Sequence, residues 1–119
     1  MSRYIPIYNP PENLERYVSG IEISESAEQE IEKVLGESEL DHPVPGLGSF
    51  SSPDDSSKNE YKFYIFELSE LGRVVDAFGT APNYISKIGN HDYVLIQAHR
   101  LENANVTKID YRDDKFVFE

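Results

Sequence analysis

The sequence predicts an α+β fold, with short helices at the N-terminal end packed on a mostly antiparallel sheet of four or five strands. Helical spacing of apolar residues, with capping residues beside it, is concentrated in the first third of the chain. The second half instead carries short apolar runs rich in aromatic and β-branched residues, which are typical of strands. A length of 119 residues suits a single domain that spans 1–119.

The first elements predicted are a short strand and a short helix. Residues 3–8 (RYIPIY) alternate between apolar and polar positions, and Pro6 would confine such a strand to a sheet edge. The spacing in 9–20 predicts a helix that Asn9 caps and Gly20 ends. The next short piece, IEI, predicts extended chain.

The clearest helix is predicted over residues 24–36. Ser26 with Gln29 fits a capping box, although Ser24 could cap instead, and Gly36 fits the position that closes the last turn. The apolar stripe expected to face the sheet consists of Ile31, Val34 and Leu35.

Residues 36–60 contain three prolines, three glycines and a Ser/Asp run, and they show no helical or strand period. We therefore predict one long loop, of which 51–60, without a buried anchor, would be mobile. Loops of this length are uncommon in compact domains unless they are functional or disordered.

The remaining chain is predicted to be rich in strands. EYKFYIFEL, apolar on both faces, predicts a central strand. The full set of predictions is a strand at 60–68, a strand at 72–79, one or two helical turns at 80–89, a strand at 92–99 and a terminal hairpin of 105–111 with 115–119.

Charge is the most distinctive property of the composition. The formal net charge is −11, from 22 acidic and 11 basic residues, and residues 12–41 hold ten of the acids against two bases. Because phosphate binding depends on Lys and Arg, this balance argues against direct binding of nucleic acid. It favours a basic partner instead.

The chain has no cysteine, which excludes disulfides, thiolate metal sites and thiol nucleophiles. It has neither a secretory leader pattern nor the roughly 20 consecutive apolar residues of a membrane helix. We therefore expect a cytoplasmic protein without membrane contact, bound cofactor or metal site.

The three histidines offer one route to an active site. His91 and His99 bracket a single predicted strand, so they would lie roughly 26 Å apart, too far to share a metal ion. His42 falls in the predicted long loop. A small enzyme or ligand-binding domain, with a site between the sheet and the 36–60 loop that uses His42, His91 or His99, is the alternative hypothesis.

A second candidate site is the acidic helix. Glu25, Glu28 and Glu32 recur at helical spacing and would form a ridge opposite Ile31 and Val34. Glu37, Glu39 and Asp41 would extend it. A ridge of this kind is either a binding surface for a basic protein or a solvated helix face.

The sequence favours a small acidic, non-enzymatic interaction protein that acts as an inhibitor, an immunity-type protein or a regulator of a basic partner. The terminal strand KFVFE would also leave an open sheet edge, through which two copies could pair.

Overall fold

The computed structural model describes residues 5–18, 20–51, 59–77, 83–97 and 106–119, and the fold below is that of these residues. In chain order the elements are β1 (Leu14–Arg16), β2 (Glu22–Ile23), α1 (Glu25–Glu37), β3 (Pro43–Ser51), β4 (Asn59–Glu67), a 3₁₀ turn (Leu68–Glu70), α2 (Leu71–Ala77), β5 (Asn83–Ile88), β6 (His91–Ile96), β7 (Lys108–Arg112) and β8 (Lys115–Phe118).

The strands form two mixed sheets rather than one mostly antiparallel sheet. The larger sheet has the order β1-β5-β6-β3-β4 and the smaller one the order β2-β7-β8. Parallel pairs join β1 to β5, β3 to β6 and β2 to β7. The α+β class is therefore confirmed, whereas the strand pairing and the grouping of helices at the N-terminal end are corrected.

Both faces of the five-stranded sheet are covered. On one face Leu47, Tyr93 and Leu95 pack in a cluster with residues of α1 and with Ile109 of the smaller sheet. On the other face a second cluster joins sheet residues to the N-terminal segment and α2, and its buried members are Ile7, Leu14, Val44, Leu71, Val75, Ile85 and Val94.

The predicted helix over 24–36 is confirmed, with Ser24, the alternative N-cap, in place of Ser26 and with a different C-cap. Ser24 is the N-cap, and its hydroxyl accepts from the backbone N–H of Ala27 at 3.2 Å. The same hydroxyl donates to the carboxylate of Asp110 in β7 at 2.6 Å, so the cap also fixes the helix to the smaller sheet. The helix continues through Gly36 and ends at Glu37, with Ser38 as its C-cap.

The predicted helix over 9–20 is wrong. Leu14 is only 3% exposed because it lies in β1, whereas Val18, which would share its face in a helix, is 94% exposed. Pairing with β5, almost seventy residues later, decides the local structure. The strand predicted over 3–8 is also absent from its described part, residues 5–8.

Two further segments exchange helix and strand. Residues 72–77, predicted as a strand, lie in α2, where Leu71 and Val75 bury one helical face. The helical turns predicted over 80–89 are replaced by β5 from Asn83 onward. Ile85 and Ile88 belong to clusters on opposite sheet faces, which strand alternation allows and a helical spacing of three does not.

The predicted loop over 36–60 is largely wrong, because residues 43–51 form an internal strand. Prolines are unusual there because they cannot donate to a ladder. The parallel pairing of β3 with β6 is confined to Gly46–Gly48, beyond both Pro43 and Pro45. Glycine is required at position 46 because a Cβ there would overlap the ring of Phe66. The expected mobile segment lies mostly outside the described residues.

The strands predicted at 60–68 and 92–99 are confirmed as β4 and β6, which end at Glu67 and Ile96, but β4 is an edge strand and not a central one. The terminal hairpin is confirmed as β7 and β8. Asp113 and Asp114 connect them with φ of 54° and 62°, the backbone of a tight type I′ turn.

The turn between β5 and β6 requires glycine. Gly89 has φ of +63°, and a Cβ there would overlap both the carboxylate of Glu28 and the side chain of Ile23. Gly20 has a similar φ of +68°, but no atom lies within 4 Å of where its Cβ would be. Glycine is therefore favoured at position 20 only by the left-handed backbone and not by close packing.

We therefore predict that Gly89→Ala lowers the free energy of unfolding by about 2–3 kcal/mol, and Gly20→Ala by about 1 kcal/mol, since only the first adds steric overlap to backbone strain. Urea unfolding followed by circular dichroism measures both values. Equal losses for the two variants would contradict the packing described at Gly89.

The bonds at Asp110 predict a pH dependence of stability. The hydroxyl of Ser24 and, next, the backbone N–H of Tyr111 hold the pKa of Asp110 below its ordinary value, against a smaller opposing effect of desolvation. A lowered folded-state pKa stabilises the fold above the ordinary pKa of about 4, and the stabilisation is lost as the pH falls through the folded value.

Asp110→Asn is therefore expected to be less stable than the native chain at pH 7, with a difference that shrinks steadily below about pH 4. Urea midpoints measured from pH 7 to pH 2 check this expectation. A difference that stays constant over the whole range would show that ionisation of Asp110 does not contribute.

Candidate functional site

Two carboxylates of α1 contact the turn between β5 and β6. Glu28 accepts a hydrogen bond from the backbone N–H of Asn90 at 2.5 Å. One turn further along, Oε1 of Glu32 lies 3.4 Å from Nε2 of His91, whose side chain is buried. These contacts hold α1 against the end of the five-stranded sheet.

The geometry of the helix explains why Glu28 and Glu32 lie beside the buried face, and not on the predicted ridge opposite Ile31. At about 100° per residue, Glu28 lies only about 60° around the helix from Ile31, and Glu32 lies about 60° from Leu35. Both glutamates thus border the buried face and lie half-buried beside it.

The other four predicted carboxylates are exposed. Glu25 accepts a long hydrogen bond of 3.5 Å from Gln29, and Glu37, Glu39 and Asp41 follow at the far end of α1. Within the described ranges, the arginine ion pairs join Arg16 to Asp92, Arg73 to Glu70 and Arg112 to both Asp110 and Glu119. In that part of the chain no Lys or Arg neutralises any of the six predicted carboxylates.

The two histidines that the structure describes, His42 and His91, do not form one site. His91 contacts Glu32 on the face that carries α1, whereas Nδ1 of the exposed His42 lies 3.4 Å from Oε1 of Glu67 at the end of β4. Each imidazole thus has a different carboxylate beside it. His99 lies outside the described residues.

The contact between His42 and Glu67 is electrostatically significant. The backbone N–H of His42 donates to the carboxylate of Glu67 at 3.1 Å. This hydrogen bond is the main cause that holds the pKa of Glu67 below its ordinary value. Desolvation opposes the lowering of the pKa, and the His42 imidazole adds to it. Since His42 also accepts from the backbone N–H of Leu68, the pair anchors the chain between α1 and β3 to the end of β4.

In the part of the chain that is described, no group of three or more His, Asp or Glu side chains could hold a metal ion. Within the same residues, no helix has both the length and the apolar character needed to span a bilayer.

An apolar groove of about 580 Å³ lies between α1, β4 and β8. Its main apolar lining comes from Ile31, Val34, Phe63, Ile65, Phe116 and Phe118. The ring centroids of Phe63 and Phe116 lie 4.5 Å apart, so β4 and β8 meet through their side chains at the base of the groove. The groove contains neither His42 nor His91.

Sequence reasoning did not identify this groove. Its walls come from three segments that are far apart in the chain, and two of them are edge strands. The available signal was the aromatic run from Tyr61 to Phe66. A run with apolar residues on both faces is compatible with a central strand and with an edge strand, and only the strand order distinguishes the two.

Comparison of the chain with known protein families, with curated proteins and with solved structures finds no match. The function is therefore inferred from the residues themselves.

The two kinds of glutamate on α1 predict different effects on stability. Glu28→Ala is expected to lower the free energy of unfolding by about 1 kcal/mol because the N–H of Asn90 loses a charged acceptor. Glu25→Ala makes the same change in charge and helix propensity and is expected to cost less than about 0.5 kcal/mol. Urea unfolding of both variants tests this, and similar losses would contradict a structural role specific to Glu28.

Proposed function

We propose that the protein is a small, non-enzymatic interaction protein that binds a basic protein partner through the carboxylates of α1 and of the segment before β3. Its action would be that of an inhibitor, an immunity-type protein or a regulator. The observation that carries the proposal is the lack of a Lys or Arg partner, among the described residues, for any of the six carboxylates Glu25, Glu28, Glu32, Glu37, Glu39 and Asp41.

The arrangement of these groups supports the proposal. From Glu25 to Glu37 the helix is about 18 Å long, so its carboxylates would present an extended negative surface to a partner. Such a surface accelerates encounter with a positively charged protein and disfavours anionic competitors. Glu28 and Glu32 would contribute charge from fixed positions, while the four exposed carboxylates would make the direct contacts.

The alternative hypothesis, a catalytic or ligand-binding site that uses His42, His91 or His99, receives less support from the geometry. The two described histidines contact different glutamates, and neither lines the apolar groove.

The test compares two charge-matched variants of the full chain. One variant carries Glu25→Gln, Glu37→Gln, Glu39→Gln and Asp41→Asn. The control carries Glu12→Gln, Glu15→Gln, Asp113→Asn and Asp114→Asn, which neutralise four exposed carboxylates elsewhere. Both variants have the same net charge, so only the position of the missing charges differs.

Each protein is immobilised and exposed to extract from its own cells, and the captured proteins are quantified by mass spectrometry. We expect a basic protein that the native chain and the control retain and that the first variant loses. With that protein purified, its association rate with the native chain should fall at least about ten-fold between 50 and 300 mM NaCl, as steered association does.

Three results would contradict the proposal: retention by both variants, equal loss from both, or an association rate that does not depend on salt. Equal loss would show that only net charge matters. Independence from salt would show that these carboxylates do not guide the encounter.

A further inference from the structure

We propose that the groove between α1, β4 and β8 binds a small apolar molecule with one negative charge, of the size of a medium-chain carboxylate. This site is separate from the acidic surface proposed above, and it has the opposite local charge. The volume of about 580 Å³ falls within the range of pockets that hold small ligands, roughly 300–1,000 Å³.

The apolar part of the ligand is inferred from the lining. Ile31 and Val34 of α1 face the groove on one side, and on the other Phe63 of β4 contacts both Phe116 and Phe118 of β8. The three phenylalanines are only partly buried. An apolar chain in the groove would remove more of this surface from water, which favours binding.

The charge of the ligand is inferred from two lysines. Lys62 and Lys115 line the rim of the groove, one from each of the edge strands β4 and β8. Both are exposed, and among the described residues neither has a carboxylate within ion-pairing distance. Glu119, which follows β8, is bound by Arg112 instead.

The absence of acids from this groove is informative in so acidic a chain. The protein has 22 acidic and 11 basic residues, yet the described residues around the groove include two lysines and no Asp or Glu. A cationic ligand would find no carboxylate among the described lining residues. The local charge therefore complements an anionic head group with an apolar body.

The test is an NMR titration of the ¹⁵N-labelled full chain with dodecanoate, and separately with dodecyltrimethylammonium, both below their micelle concentrations. The two probes share the same alkyl chain and differ in the sign of their charge. We expect dodecanoate to give saturable shifts confined to backbone amides of α1, β4 and β8, and the cation to give no saturable shifts there.

Two pairs of substitutions locate the charge. Lys62→Gln with Lys115→Gln should weaken dodecanoate binding by about ten-fold. Lys33→Gln with Lys108→Gln makes the same change in net charge outside the groove and should alter affinity by less than about two-fold. Val34→Phe, which fills the groove from α1, should abolish binding, and the amide spectrum of each variant reports whether it is folded.

The proposal is overturned if dodecanoate causes no saturable shifts at the groove, if the cation binds there equally well, or if the two lysine pairs have the same effect. It also fails if sedimentation shows a dimer that Val34→Phe dissociates. In that case a second copy of the chain covers the groove.

Discussion

Strand β6 is buried on both of its faces, so the fold must supply a packed layer above it and another below it. Five of its six residues are buried, with Tyr93 and Leu95 on one face and Val94 and Ile96 on the other. Burial of each such side chain contributes about 1.5–3 kcal/mol, so neither face can remain open. One layer is α1 with the smaller sheet, and the other is the N-terminal segment with α2.

That requirement explains which elements could be predicted from the sequence. The helix from Glu25 and the terminal hairpin carry their own signals, namely a capping serine, an apolar stripe and a tight turn. Leu14 carries no comparable signal, because it is placed by β5, which lies far away in the chain. Ile85 lies in a local hairpin with β6, but the spacing of Ile85 and Ile88 is equally compatible with a helical turn. Local spacing predicted helix at both positions, and sheet pairing made both of them strands.

The candidate sites divide in the same way. The sequence alone shows the excess of carboxylates, because the number of acidic and basic residues does not depend on the fold. It did not separate Glu28, which accepts from a backbone N–H in the β5–β6 turn, from the exposed Glu25. The distinction depends on Gly89, whose left-handed backbone and missing side chain let that turn approach the helix. The groove depends on strand order, which no local pattern encodes.

The two proposed sites share α1 and carry opposite charge, yet they need not oppose each other. At physiological ionic strength the Debye length is about 8 Å, so Glu25, about 13 Å along the helix from Val34, has little effect on an anion in the groove. Glu37 lies one turn from Val34 and would oppose such an anion, so binding requires that Lys62 and Lys115 lie nearer to its charge. Attraction of a basic protein acts over the whole acidic surface, whereas binding of a small anion depends on the nearest charges, and on that condition the two sites are compatible.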